Sequence, residues 1–337
     1  MWALKNHTPY AAERNWTRDK RGVHQWIVAV KATFSIAKDG KLSLSDEQVP
    51  PVLAPEYHGE PGMSSLRYDS DLLRAKPCTD VIVDACAHAP RGKKAARVPV
   101  SLRVGPIHKT LVVSGDRVYH KRLFGGVHAS KPASFESRPI RYEWAYGGVD
   151  TVDRDSGKHR IDARNPIGKG FATKPAHLVD KSAPAVEYPS GNAAERGPAG
   201  FGPIDAAWSP RRELAGTYDA AWEQSKKPLL ADDYDDRYGS CASHDQRVFP
   251  HLRGAEPVEL VNLTADGTLR FALPKIYLTF ATHFGSTRED HRGRLISVLI
   301  EPERMHVSLV WQTVLAVPAK RTEYLDQTTI RQKPYLT

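Results

Sequence analysis

Trp26-Ile27-Val28-Ala29-Val30-Lys31-Ala32-Thr33-Phe34-Ser35-Ile36 is the stretch whose pattern sets the fold class. Its even positions hold Trp26, Val28, Val30, Ala32, Phe34 and Ile36, whereas the odd positions from Gln25 onward include Lys31, Thr33 and Ser35. Successive side chains of a strand point to opposite faces. A period of two therefore predicts a strand with one buried and one wetter face. Lys38-Asp39-Gly40-Lys41 follows, and Asp-Gly tolerates the positive φ that a tight hairpin needs. Leu42 and Leu44 begin the return strand.

The same pattern recurs outward from this hairpin. Val81, Val83 and Ala85 alternate with Ile82, Asp84 and Cys86. Val98, Val100, Leu102 and Val104 alternate around Pro99, which predicts a sheet edge or the start of a strand because proline donates no hydrogen bond. Leu111 to Tyr119 breaks at Gly115-Asp116. In the last third, Val258 to Leu263 turns at Asp266-Gly267 into Leu269, Phe271 and Leu273. Ile276 to Phe280, Leu295 to Ile300 and Val307 to Val317 complete the set. The expectation is a mainly β protein of antiparallel sheets, sandwich- or barrel-like.

Residues 121–255 read differently. Glycine and proline recur, as in Asn165-Pro166-Ile167-Gly168-Lys169-Gly170-Phe171. One short helix is expected from Tyr218 to Lys227, with Thr217 as N-cap and Pro228 just past the end. Trp144, Tyr146, Phe171, Tyr188, Phe201, Trp208, Tyr218, Trp222, Tyr234 and Tyr238 are too many aromatics for a solvated tail. They predict an ordered loop layer pinned by aromatic side chains. The chain thus divides into a β region over 1–120, a loop-rich insert over 121–255 and a second β region over 256–337, together forming one compact unit.

Bulk properties narrow the function classes. The 337 residues carry 48 Lys and Arg against 39 Asp and Glu, a net charge of +9. That surplus suits an acidic protein partner. It is spread along the chain without regularly interleaved aromatics, so nucleic acid is not the expected partner. Three cysteines, Cys78, Cys86 and Cys241, fit a reducing compartment. No leader pattern opens the chain, and no apolar run approaches the ~20 residues of a membrane helix. A cytoplasmic protein with no membrane partner is expected.

The densest polar segment is Ser64-Ser65-Leu66-Arg67-Tyr68-Asp69-Ser70-Asp71-Leu72, continuing to Lys76-Pro77-Cys78-Thr79-Asp80. Arg67, Asp69, Asp71, Lys76 and Asp80 alternate in sign. They form either a recognition surface or a set that pairs internally and braces the loop layer, with Ser64, Ser65 and Thr79 capping backbone. Bracing is the favoured reading.

Catalytic and metal patterns fail one by one. His58-Gly59-Glu60 with Pro77-Cys78 approaches a zinc deaminase signature, but Val81 stands where its second cysteine belongs. The fourteen histidines form no His-x-His and no His-Glu-x-x-His. The acidic run Asp232-Asp233-Tyr234-Asp235-Asp236 lacks the glycine and distal glutamate of a calcium loop. Gly168-Lys169-Gly170 is not a phosphate loop, and no nucleophile elbow is present. No cofactor, metal or catalytic residue is expected.

The order of several motifs is distinctive. Lys31-Ala32-Thr33-Phe34 is followed by the polar segment, then Ser114-Gly115-Asp116-Arg117, Tyr142-Glu143-Trp144-Ala145-Tyr146-Gly147-Gly148 and Asn165 to Phe171. Pro198-Ala199-Gly200-Phe201-Gly202 and Leu214-Ala215-Gly216-Thr217-Tyr218-Asp219-Ala220-Ala221-Trp222 come after. Together they resemble a domain-of-unknown-function family encoded in bacterial type VI secretion loci, beside PAAR spike-tip and VgrG spike proteins. The resemblance covers residues 1 to about 290. It implies an adaptor or chaperone, not an enzyme. Such a protein would bind a toxic effector, often PAAR-linked, and help load it onto the VgrG spike. The implied partners are an effector toxin, a PAAR-domain protein, or both, and the spike; the resemblance carries no catalytic residue across. Candidate binding or bracing residues are Ser65, Arg67, Tyr68, Asp69, Asp71, Lys76 and Asp80 in the polar segment. Trp144, Tyr146, Phe171, Phe201 and Trp222 are their counterparts in the loop layer. The alternative is a carbohydrate- or nucleotide-active enzyme with the aromatic layer as its cleft and Asp69 and Asp71 as its carboxylates.

Overall fold

The computed structural model describes residues 2–333; Met1 and residues 334–337, at the outer ends of the first and third expected regions, lie outside the described residues. The protein is mainly β, with several antiparallel sheets and few short helices. The strand His24–Ile36 pairs from His24 to Ser35 with the whole of His306–Val317. On its other side it pairs with Ala11–Arg18 and, past the Asp-Gly hairpin, with Leu42–Leu44. The sheet continues through Arg294–Glu301 to Thr79–Val83, a parallel pair, and closes at Arg247–Val248. Strands from both ends of the chain thus share one seven-stranded sheet.

A five-stranded antiparallel sheet runs Val186–Glu187, Ile107–Ser114, Arg97–Val104, Pro257–Val261 and Thr268–Ala272. A four-stranded sheet runs Ala3–Asn6, Leu325–Lys333, Tyr277–Phe284 and Thr287–Arg292. Val28, Val30 and Phe34 of the first sheet, Val100, Leu102 and Leu260 of the second, and Phe280 and Ile330 of the third belong to one apolar core. The first hairpin is as expected. Gly40 adopts φ +84° and its N–H donates to the Ala37 carbonyl at 2.8 Å. A Cβ at Gly40 would also stand 1.9 Å from the Arg270 carbonyl oxygen, so glycine is needed there for space as well as for φ.

Three expectations need correction. The second face of His24–Ile36 is not wet. Ile27 and Ala29 join Leu72, Ile296 and Val310 in a separate apolar cluster, and Lys31 and Thr33 are 3% and 0% exposed. A length of chain covers that face. Of the two placements expected for Pro99 the edge fails, because Arg97–Val104 has a neighbour on each side, and the start of the strand holds, since Pro99 is its third residue. The proline is accommodated because the ladder to Pro257–Val261 begins only at Ser101. The helix is shorter than expected, Ala220–Ser225. Its N-cap is Asp219, which accepts the Trp222 N–H at 2.9 Å. Thr217 is instead held by the Asp233 carboxylate through its N–H and its hydroxyl.

The aromatic pins differ in depth. Phe201, Trp208 and Tyr234 are buried, whereas Tyr218 is exposed and sits edge-on to Trp222. Among the described residues, no helix is long and apolar enough to cross a membrane.

One half-buried side chain makes stability depend on pH. The His291 ring nitrogens bond to the Thr282 and Thr313 hydroxyls at 2.7 and 2.6 Å, and the ring stacks on Phe280. Burial holds this imidazole down at about 4, against the opposing pull of Glu289 and Asp290. An unfolded histidine titrates near pH ~6.5, so between these values the unfolded chain binds the extra proton. The contribution is present above about pH 6.5 and is lost as pH falls toward about 4, up to roughly 3 kcal/mol. Urea midpoints should therefore drop across that window, and His291→Gln should flatten the drop. Equal slopes in both proteins would refute the assignment.

Candidate functional site

The segment from Ser64 to Cys78 forms a strap over the second face of the seven-stranded sheet and runs into its strand Thr79–Val83. That face carries Lys31, Asp80, Ser297, Glu301 and Gln312, all buried. Polar groups taken out of water need partners, and the strap supplies them. The Asp71 carboxylate lies 3.7 Å from Lys31 Nζ and accepts the Val52 N–H at 2.9 Å. The Gln312 amide donates to the carbonyls of Asp71 and Leu73 at 3.0 and 2.6 Å. Lys76 Nζ reaches Asp80 at 3.1 Å and Ser297 at 3.2 Å, and Asp80, fully buried, also accepts the Cys241 N–H at 2.8 Å.

The remaining strap residues reach into the loop layer and the sheet margin. Asp69 takes a guanidinium N–H of Arg211, which also donates to the Tyr238 and Ile204 carbonyls at 2.8 Å each. Arg67 bonds to Asp84 at 3.1 Å and to Glu301 at 3.4 Å, with its guanidinium 4.8 Å from the centre of the Tyr68 ring. The Tyr68 hydroxyl donates to Glu301. Burial, and then this bond, hold the Tyr68 phenol far above its ordinary range. The Ser65 N–H and hydroxyl both go to the Glu143 carboxylate.

In these contacts the charges of the segment are paired, but mostly not with one another. Only Lys76 and Asp80 pair within the segment; Arg67, Asp69 and Asp71 pair with residues outside it. Ser64 and Thr79 bond to backbone as expected, through Gly59 and Glu60 and through Leu295 and Leu252. Ser65 bonds to a side chain instead, because the Glu143 carboxylate comes within reach. Sequence reading missed Asp84, Glu143, Arg211 and Glu301. A partial signal was present in Lys31 and Thr33, polar residues on the second face of a strand too apolar to lie at the surface.

The aromatic candidates do not form one cleft. The Trp144 ring has Lys169 Nζ at 3.9 Å and the Arg138 guanidinium at 4.5 Å. Tyr146 and Phe171 belong to the same knot. There the Asn165 amide donates to the Tyr142 and Tyr146 carbonyls at 2.8 and 3.0 Å, and the Phe171 N–H meets the Gly147 carbonyl at 3.0 Å. Phe201 lies in the main core, and its carbonyl accepts from Val83 and Gln246. Trp222 stands apart, its indole N–H bonded to the Leu229 carbonyl at 2.9 Å.

A family model described as an uncharacterized protein conserved in bacteria (DUF2169) matches residues 21–312. The chain belongs to that family. The matched span contains the whole strap, the central strand His24–Ile36 and the last strand residue that grips the strap, Gln312. No curated protein and no solved structure matches the chain.

Within this family member, the chemistry of the strap is that of a clasp. Arg67, Asp69, Asp71, Lys76 and Asp80 each face a fixed partner of opposite charge. Asp69 and Asp71 turn to different cations, so their carboxylates do not converge on a shared centre. Burial pushes the Cys241 thiol up to about 12; burial and the adjacent Asp80 push Cys78 up to about 11. Neither is a thiolate near neutrality. Among the described residues, no three or more His, Cys, Asp or Glu side chains stand where they could hold a metal ion.

Proposed function

We propose that this protein is a non-enzymatic adaptor. It binds a toxic effector, often one linked to a PAAR domain, and aids its loading onto the VgrG spike of a type VI secretion system. On this reading it works in the cytoplasm, before secretion. The order of motifs from Lys31 to Trp222 supports the secretion setting.

One structural observation carries the binding part. Leu123 and Phe124 are 97% and 101% exposed at the tip of the hairpin that joins Tyr119–Lys121 to Val127–Ala129. The tip is closed by the Arg122 N–H on the Gly126 carbonyl at 3.1 Å, with Gly125 and Gly126 at positive φ. Two adjacent large apolar side chains held out in water gain nothing for the fold, and they suit an anchor that fills a pocket on a partner. Lys121 and Arg122 beside them suit an acidic rim around that pocket. The enzyme alternative gains no such support, because Asp69 and Asp71 are committed to Arg211 and Lys31.

The test is capture of the proteins encoded beside this one. The wild type should co-purify with an effector or PAAR-domain protein. The double variant Leu123→Ser/Phe124→Ser should lose about tenfold or more in affinity, as for a hot-spot pair, with no loss of thermal stability. If the wild type captures none of these proteins, the adaptor reading fails.

A further inference from the structure

We infer that a cationic groove at one end of the seven-stranded sheet is a docking site for an acidic, extended segment of a protein partner. This deepens the binding reading and uses a surface separate from the Leu123–Phe124 tip. The groove encloses about 510 Å³. Its rim carries Arg21, Arg74, Arg292 and Arg294 with Lys20, set against Asp19 and Asp236, and Ile296, Val314 and Leu230 supply apolar lining.

The local folding explains how the cations converge. Arg292 and Arg294 flank Gly293 at the corner between Thr287–Arg292 and Arg294–Glu301. A Cβ at Gly293 would stand 2.6 Å from the Phe280 ring, so only glycine lets this corner pack so closely. Arg21 sits on a turn closed by the Asp19 N–H on the Val23 carbonyl at 2.9 Å. The Asp19 carboxylate is occupied by the N–H groups of Arg21 and Val23 at 2.8 and 2.9 Å. Arg74 donates to the Arg18 carbonyl and lies 5.5 Å from the centre of the Tyr234 ring.

Arg21, Arg292 and Arg294 are exposed and have no carboxylate partner among the described residues. Arg237, Arg270 and Arg288 elsewhere on the surface each close onto one. Unpaired guanidiniums around a concave site bind carboxylates bidentately and focus a positive field. The apolar lining takes the side chains between the acids. A nucleic acid fits less well. Among the described residues Tyr234 is the one aromatic side chain lining the groove, and its ring already faces Arg74, which leaves no platform for stacked bases.

The test uses the full chain and a fluorescent peptide of alternating glutamate and leucine, followed by anisotropy. Binding is expected, weakening severalfold as salt rises from about 50 to about 200 mM, since exposed charges are screened. Arg292→Glu/Arg294→Glu should weaken it by about tenfold or more with an unchanged melting temperature, and Arg270→Glu, on the five-stranded sheet away from the groove, should not. Arg21→Glu gives an independent second variant should the corner pair fold poorly. Absence of peptide binding overturns the inference, as does undiminished binding by the variants or tighter binding of a short DNA duplex. Partner capture that depends on Leu123 and Phe124 but persists without peptide binding would remove the groove and leave the adaptor reading standing.

Discussion

Arg211→Met is expected to cost about 3–5 kcal/mol of folding stability, the range for breaking a buried ion pair by removing one partner. Arg211 is 2% exposed, and each of its three guanidinium nitrogens donates a bond, to Asp69, Tyr238 and Ile204. Methionine fills much of the space and supplies none of these donors. The Asp69 carboxylate would remain buried, with the Ser70 N–H at 2.8 Å as a surviving partner. Two backbone carbonyls would lose their donors as well, each a cost of its own. Because the penalty comes mainly from the stranded charge, Arg211→Met/Asp69→Leu should recover a large part of it. Urea unfolding of the four proteins in this cycle gives the coupling directly. A loss below about 1 kcal/mol in Arg211→Met would mean that the pair does not hold the strap to the loop layer.

Asp80→Ala should be comparably damaging, again about 3–5 kcal/mol. Asp80 lies in Thr79–Val83, inside the seven-stranded sheet, and joins three parts of the molecule. It accepts from Lys76 on the strap and from the Cys241 N–H in the loop layer, and Arg247 approaches it at 3.9 Å. Alanine leaves Lys76 buried with the Ser297 hydroxyl as its remaining near acceptor and leaves the Cys241 N–H unpaired. A second readout is independent of the unfolding curve. Cys78 and Cys241 are buried with raised pKa values, so the native protein should protect both from thiol reagents. In Asp80→Ala both should become reactive under native conditions as the strap loosens. Wild-type stability together with unchanged protection would show that Asp80 is dispensable.

Both variants test a clasp whose importance is visible in the sequence but whose partners are not. The density of charge and hydroxyls from Ser64 to Asp80 singles the segment out. The alternating signs of Arg67, Asp69, Asp71, Lys76 and Asp80 suggest pairing within it, and that holds only for Lys76 with Asp80. The others meet Asp84, Glu301, Arg211 and Lys31, and for Arg211 no local pattern points to Asp69, 142 positions away. The aromatic candidates divide in the same way. Trp144, Tyr146 and Phe171 share a knot around Asn165, while Phe201 sits in the core and Trp222 stands apart. Their spacing along the chain holds no record of which knot each one joins.

The strands around the Asp-Gly turns at Gly40 and Gly267 and most of the long apolar strands were determined by the sequence alone. A strand's period of two and the Asp-Gly signal of a tight turn are properties of adjacent residues. The strands Ala3–Asn6, Ala11–Arg18, Thr287–Arg292 and Leu325–Lys333 escaped that logic, since their alternation is weak and the neighbouring strands complete them. Only the tertiary structure decided that the polar face of His24–Ile36 is dry, that the strap is its counterpart, and that Leu123, Phe124 and the groove arginines are left facing solvent. Burial is set by what folds on top of a residue. For this chain those covering segments come from tens to hundreds of positions away, beyond the reach of any local pattern.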